Sequence, residues 1–165
     1  MSDKLPLRDE FVVNASPLIT LFKSGLEFVL PELFGTVIVP GAVWQEVSNC
    51  DDDASEGLKT SPWAIRKKVR TDRRVAVWNL GSGETDVLSL SLKNSNRVAI
   101  IDDLAARRCA VSLTIRHIGT AGVLVLASRH KLIPSLRNAF SQVRNAGLYL
   151  KDDLVERLII EEGRE

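Results

Sequence analysis

Short apolar runs and stripes of helical spacing alternate along the whole chain. Phe11-Val12-Val13 reads as a strand, and Ser16-Pro17 behind it as a helix start, with the serine as N-cap and the proline at the first helical position. Ile19, Phe22 and Leu26 continue that helix. Thr36-Val37-Ile38-Val39 is β-branched and stops at Pro40, which gives a second strand, and Val43, Trp44 and Val47 form a helix stripe after it. Residues 49–74 have no clean period and read as a long loop with a helical turn at Pro62-Trp63, and Arg74 to Trp78 fits a further short strand. Gly81-Ser82-Gly83 marks a turn. The Leu88, Leu90, Leu92 alternation that follows would fit a strand by period alone, but the segment's length and the glycine turn favour a buried helix beginning at Glu84. Val98-Ala99-Ile100-Ile101 is a strand that ends in Asp102-Asp103. Ala106, Cys109, Ala110 and Leu113 then recur at i, i+3, i+4 and i+7, a helix stripe. Ile115 to Ile118 is a short strand punctuated by Gly119-Thr120. Three helices follow, on Val123, Leu124 and Ala127, on Leu136, Ala139, Phe140 and Val143, and on Leu154, Val155, Leu158 and Ile159.

Strands alternating with helices predict an α/β fold: a three-layer α/β/α sandwich with a mostly parallel central sheet. The 165 residues suit one domain, with a core over about 11–150 and a C-terminal helix over about 152–161. A chain that is 45% hydrophobic and 26% charged is neither disordered, collagenous nor a disulfide scaffold. It has no apolar run of about 18 residues, so no membrane span is expected. The segment Met1–Glu10 is charged and lacks an apolar signal core, so no export signal is read and the cytoplasm is the expected location. Cys50 and Cys109 stand far apart with no Cys-x-x-Cys, which predicts reduced thiols and no structural zinc.

The net charge of +1 gives no global field to draw in nucleic acid, but local charge is uneven. Asp51, Asp52, Asp53 and Glu56 make an acidic cluster. Arg66, Lys67, Lys68, Arg70, Arg73 and Arg74, against only Asp72, make a basic run. Such a run either contacts phosphate or is a solvated surface; Arg66, Lys67, Lys68 and Arg70 are the candidates for nucleic-acid binding.

In a parallel sheet, ligands bind off the carboxyl ends of the strands. Asn14 and Ser16 follow the first strand, Asp102 and Asp103 the Val98–Ile101 strand, and Gly119 and Thr120 the last. Glu46 lies on the helix after the second strand, and Glu84 at a helix start. One side of such a sheet gathers them. Clustered carboxylates are costly unless a cation balances them. Oxygen-only ligands suit Mg²⁺ or Mn²⁺, which activate water and stabilise in-line phosphoryl displacement. Each residue also has a structural reading. Glu84 is favoured by a helix dipole, Asp102 or Asp103 as an N-cap, Glu46 as a solvent-facing residue, Thr120 as a cap, and Arg107 and Arg108 as surface arginines. His117 and His130 share no ligand spacing and read as structural, and Trp44, Trp63 and Trp78 read as core.

Five strings together resemble the PIN-domain family over about residues 11–150: Val12-Val-Asn-Ala-Ser-Pro-Leu-Ile19, Val39-Pro-Gly-Ala-Val-Trp-Gln-Glu-Val47, Gly83-Glu84, Ile101-Asp-Asp-Leu-Ala-Ala-Arg107 and Gly119-Thr-Ala-Gly-Val-Leu124. The nearest branch is that of nucleic-acid-binding proteins similar to VapC toxins. The resemblance implies a Mg²⁺- or Mn²⁺-dependent ribonuclease, often a toxin paired with an antitoxin protein, and a homodimer. It carries the catalytic and metal-holding roles to Glu46, Glu84 and Asp102 or Asp103, and the lining of the site to Ser16 and Thr120. Arg107 or the basic run would then position the RNA backbone. One departure stands out: the first acid of the family is Asn14 here. An asparagine still offers a carbonyl oxygen to a metal, but it removes one negative charge and cannot act as a base, weakening the hold on a cation by about tenfold. Two readings follow: an endoribonuclease, or a catalytically weakened PIN-like module that binds RNA or a protein partner. A receiver-like signalling domain is set aside, because its acid pair should follow the first strand. Gly81-Ser82-Gly83 is no phosphate loop, because no Gly-Lys-Ser/Thr follows it.

Overall fold

The computed structural model describes residues 9–50 and 52–163. Five strands, β1 (Glu10–Val13), β2 (Val37–Pro40), β3 (Ala64–Lys67), β4 (Arg97–Ile100) and β5 (Arg116–Ile118), form one sheet in the order β3-β2-β1-β4-β5. Every neighbouring pair is parallel. Helices α1 (Ala15–Lys23) and α2 (Val29–Phe34) connect β1 to β2, and α3 (Gly41–Ser48) and α4 (Asp53–Lys59) connect β2 to β3. Helices α5 (Arg73–Ala76) and α6 (Ser82–Leu92) carry the chain across β1 to β4. Helix α7 (Leu104–Ser112) leads to β5, and α8 (Thr120–Arg129), α9 (Leu136–Asn145) and α10 (Asp152–Glu162) follow. This is the α/β/α sandwich that the alternation of elements predicts.

The centre of the sheet is apolar because helices cover both of its faces. Phe11, Val12 and Val13 of β1 and Val98, Ala99 and Ile100 of β4 are buried. Helix α6 packs against β1, β2 and β4, while α8 packs against α2, α9 and α10. Phe11 stacks on Phe34 of α2 with ring centroids 3.8 Å apart. Residues Val87 to Ser91 of α6 are all buried, which is why its leucines show no amphipathic stripe. Its two buried serines are satisfied: Ser91 donates to the Val87 carbonyl at 2.7 Å, and Ser89 accepts from the Asp72 amide at 3.0 Å.

The structure corrects five expectations. Residues 49–74 are not one loop: they hold α4 and β3. Asp52 is the N-cap of α4 and accepts from the Ala54 and Ser55 amides at 3.1 and 3.4 Å, so part of the acidic cluster is a helix start. Asp51 lies outside the described residues, as does most of the Met1–Glu10 segment. Strand β3 shows no apolar run because it is an edge strand whose Ile65, Arg66 and Lys67 are exposed. Arg74 to Trp78 is not a strand. Asp72 caps α5 there, accepting from the Arg74 amide at 2.9 Å and from its guanidinium, contacts that hold the Asp72 carboxyl well below the usual range. Ser16 is not the N-cap of α1. Asn14 is the cap residue and Pro17 sits third in the helix, still among the first amides that have no partner within a helix. Gly83 lies inside α6 rather than in a turn, and the six-residue α2 has too little length to show a period. Cys50 and Cys109 are free, and among the described residues no helix is long and apolar enough to cross a membrane.

Candidate active site

The order of the strands reverses at β1, which has β2 on one side and β4 on the other, so the carboxyl ends of β1 and β4 splay their connections apart. The Asn14 amide donates to the Ile100 carbonyl at 3.0 Å and the Ile101 amide to the Ile118 carbonyl at 2.9 Å. These bonds carry the ladder one residue past the strands and fix the first residues beyond them. A cleft of about 680 Å³ opens at this point and gathers Ser16, Glu46, Glu84, Asp102 and Asp103 from separate segments of the chain.

Asn14, the first residue after β1, is 2% exposed and reaches the site through Glu84. Its side-chain amide donates to Glu84 Oε1 at 3.2 Å, while its own Oδ1 is buried without a hydrogen-bond partner. Gly83 leaves room for this approach. A Cβ there would lie 3.0 Å from Asn14 Oδ1 and 3.4 Å from a Val43 methyl, so any side chain at that position would push Asn14 back by a few tenths of an ångström. Glu84, third residue of α6, folds back over the N-cap Gly81, where a Cβ would stand 2.5 Å from Glu84 Oε2. The amino end of the helix favours a carboxylate there.

Glu46 comes from α3. Partial burial in the cleft, and then the charge of Glu84, raise its carboxyl above the ordinary value. Two residues beyond Glu84, Asp86 is also raised by burial, while a hydrogen bond with the Ala42 backbone opposes the shift. That contact ties α6 to the start of α3, the helix that carries Glu46. Sequence reading passed over Asp86, since a carboxylate on an apolar helix carries no sign of what it caps.

The other wall is tied down. Asp102 accepts from the Thr120 amide at 2.8 Å and from its hydroxyl at 2.6 Å. Asp103 is the N-cap of α7 and accepts from the Ala106 amide at 2.9 Å. Both roles are the structural ones that residue type allows. They leave Asp103 exposed and Asp102 half-buried, each lining the cleft. A Cβ on Gly119 would lie 2.7 Å from an Arg107 nitrogen and 3.0 Å from Asp102 Oδ1, so the glycine lets the guanidinium and the carboxylate close over the same point.

The two edges of the sheet differ in their electrostatics. At the amino edge, Glu10 pairs with Arg97 and Asp9 with Arg116, each at 2.8 Å. At the carboxyl edge, among the described residues, none of Glu46, Glu84, Asp102 and Asp103 has an ion-pair partner within 4 Å. A divalent cation fits this set in kind. The donors are all oxygens, the charge of Glu84 raises the cost of ionising Glu46, and Asn14 Oδ1 is an orphaned acceptor. Among the described residues no three carboxylate, imidazole or thiol side chains already converge on one point. Thr120 and Ala106 hold Asp102 and Asp103 where they are.

Arg66, Lys67, Lys68 and Arg70 do not line the cleft. They leave from the carboxyl end of the edge strand β3, on the same side of the sheet as the acids. A Cβ on Gly41, the first residue of α3, would lie 3.9 Å from the Lys67 carbonyl, and Arg66 lies 5.7 Å over the Trp44 ring of α3. Sequence reading also missed the segment Ala146 to Tyr149, which walls the cleft opposite the strand ends. It is the helix stop of α9: the Leu148 amide donates to the Val143 carbonyl and the Gly147 amide to the Arg144 carbonyl, both at 3.0 Å, with Gly147 at φ +109°. The available signal was Ala146-Gly147 behind the helix stripe, which marks a helix end and says nothing of a cleft.

A search among curated proteins found no match. A family model described as a PIN domain matches residues 10–164. PIN domains are in general nucleases, typically dependent on divalent metal ions. With the parallel sheet and its acidic carboxyl edge as their structural counterpart, these residues place the chain in the PIN-domain family.

Proposed function

We propose that the protein is a metal-dependent endoribonuclease that hydrolyses phosphodiester bonds in RNA. The observation that carries this reading is the cleft at the β1–β4 switch point, lined by carboxylates that have no ion-pair partner among the described residues, with Glu84 bonded to Asn14, whose own amide oxygen is buried and unpartnered. Glu46, Glu84 and Asn14 Oδ1 would hold Mg²⁺ or Mn²⁺, with Asp102 and Asp103 beside them. When bound, the ion would act as a Lewis acid on a phosphate oxygen and lower the pKa of a water. The chain's own residues supply the rest. Thr120 fixes the direction of Asp102, Gly119 lets Arg107 reach the rim, and Arg107 with Arg66, Lys67, Lys68 and Arg70 would hold the phosphate backbone in register. The resemblance to VapC toxins extends the proposal: a cytoplasmic toxin, a homodimer, its partner an antitoxin protein.

A second reading is favoured by the Asn14–Glu84 hydrogen bond, which occupies Glu84 without any cation. On this reading the site is catalytically weakened and the module binds RNA or a protein partner. One experiment separates the two: wild type, Glu84→Gln and Asn14→Asp are incubated with RNA and Mn²⁺ after removal of contaminating nuclease. Cleavage by wild type that disappears in Glu84→Gln supports the endoribonuclease. An inert wild type with cleavage gained in Asn14→Asp supports the weakened module. RNA left intact by all three sinks the assignment of the acids.

A further inference from the structure

Exposed large apolar side chains scattered singly over a surface carry no meaning. Two of them here are not scattered. Leu104, 60% exposed, and Tyr149, 80% exposed, come from different elements and line the same cleft as the carboxylates. Leu104 directly follows Asp103 at the start of α7. Tyr149 stands on the stop of α9, which its backbone and its neighbours hold. Leu148 and Gly147 close the helix end, Arg144 donates to the Leu150 carbonyl, and the same guanidinium pairs with Asp152 at 3.0 Å. The tyrosine is therefore presented on a fixed turn.

We infer that Tyr149 and Leu104 form a seat for a nucleobase of the RNA strand whose phosphate lies at the carboxylates. This inference rests on the proposed ribonuclease reading and adds strand-binding residues to it. The chemistry of the rim favours a base over any other part of the strand. Phosphates are repelled by Glu46, Glu84 and Asp103 except where a cation intervenes, and a ribose offers mainly hydroxyls. A base offers a flat, uncharged face of the kind an exposed tyrosine ring stacks against. A tyrosine has only two side-chain torsions to fix, so it loses little freedom when it does so. The leucine supplies a second apolar contact without selecting which base enters.

The test is fluorescence anisotropy of a fluorescein-labelled oligouridylate, and of a matching strand of abasic residues, in Ca²⁺. The proteins are full-length wild type, Tyr149→Ala, Tyr149→Phe and Leu104→Ala. Both side chains are exposed, so truncation leaves the fold standing. Tyr149→Ala is expected to weaken binding of oligouridylate about tenfold or more, the scale of one base stacked on an aromatic ring, with Leu104→Ala weaker in the same direction and Tyr149→Phe retaining affinity. On the abasic strand, wild type and Tyr149→Ala should bind alike. Tyr149→Ala equal to wild type on oligouridylate, or equally impaired on both strands, overturns the inference and leaves the proposed function standing. A wild type that binds neither strand overturns both.

Discussion

Asn14 and Glu84, 70 residues apart in sequence, meet through a 3.2 Å hydrogen bond in which the asparagine amide donates and the glutamate accepts. An aspartate at position 14 has no hydrogen to donate when ionised. It would place a buried carboxylate against Glu84, and against Glu46 beyond it, with nothing between them. Asparagine therefore lets the three elements β1, α3 and α6 close without a cation, at the cost of a weaker site for one.

It follows that Asn14→Asp should destabilise the metal-free protein while improving its hold on metal. Losing a buried hydrogen bond and leaving its acceptor unpaired costs about 1–3 kcal/mol, a fall of several degrees in melting temperature for a domain this long. Mn²⁺ should return that loss in the variant and raise the melting temperature further at higher concentration, because only the folded state binds. Differential scanning fluorimetry of both proteins across a Mn²⁺ titration reads both effects. A variant that melts like wild type without metal would show that the amide–carboxylate bond contributes nothing.

Glu46 gives a prediction with a definite sign. Burial and Glu84 raise its carboxyl from the ordinary 4.5, so the folded state holds the proton more tightly than the unfolded one. The stability this group contributes is then fully present below the ordinary value and is lost as pH rises through the raised one. Glu46→Gln removes this penalty. The variant should melt higher than wild type at neutral pH, and the two should converge below about pH 4. Asp86 is shifted in the same direction and remains in both proteins, so it does not disturb the comparison. A neutral-pH gain that persists unchanged in acid would mean that packing, not charge, is responsible.

Thr120 is fully buried and spends its hydroxyl on Asp102. Thr120→Val keeps the shape and the backbone donor but loses a hydrogen bond to a charged acceptor, which costs about 1.5–3 kcal/mol. Thr120→Ser should recover most of it. Urea unfolding with unchanged slope and a lower midpoint is the expected result for the valine variant. An unchanged midpoint would mean that the backbone amide alone holds Asp102.

What the sequence revealed, and what it hid, follows from burial. Strands β1 and β4 are covered on both faces, so Phe11–Val13 and Val98–Ile101 show as unbroken apolar runs, and the polar residues behind them mark the carboxyl edge. Strand β3 lies at the edge with Ile65, Arg66 and Lys67 in solvent, so it has no such run, and its pairing with β2 is a long-range fact. Asp72 and Arg74 look like charges in a basic stretch until the helix they cap is seen. The grouping of Glu46, Glu84, Asp102 and Asp103 in one cleft, with Asn14 close by, was legible from strand ends and from the PIN resemblance. Its inner bonds were not. No spacing announces that Asn14 would donate to Glu84, that Asp86 would reach Ala42, or that the end of α9 would turn back and place Tyr149 at the site.

The basic residues beyond β3 and the aromatic wall should report differently to salt. Lys67, Lys68 and Arg70 lie outside the cleft and are exposed, so replacing them with glutamine is expected to leave the melting temperature nearly unchanged; Arg66 is left in place because it packs over Trp44. If they meet phosphate, each replacement removes counterion release as well as affinity. The slope of log affinity against log salt for a single strand should then become shallower by about 0.7 for each phosphate that is no longer neutralised. Tyr149→Ala should lose affinity at an unchanged slope, because stacking releases no counterions. Anisotropy titrations at several salt concentrations distinguish the two. A slope that stays fixed when all three basic residues are replaced would remove this strand end from the path of the RNA and leave Arg107, beside Asp102 at the rim, as the group that meets the backbone.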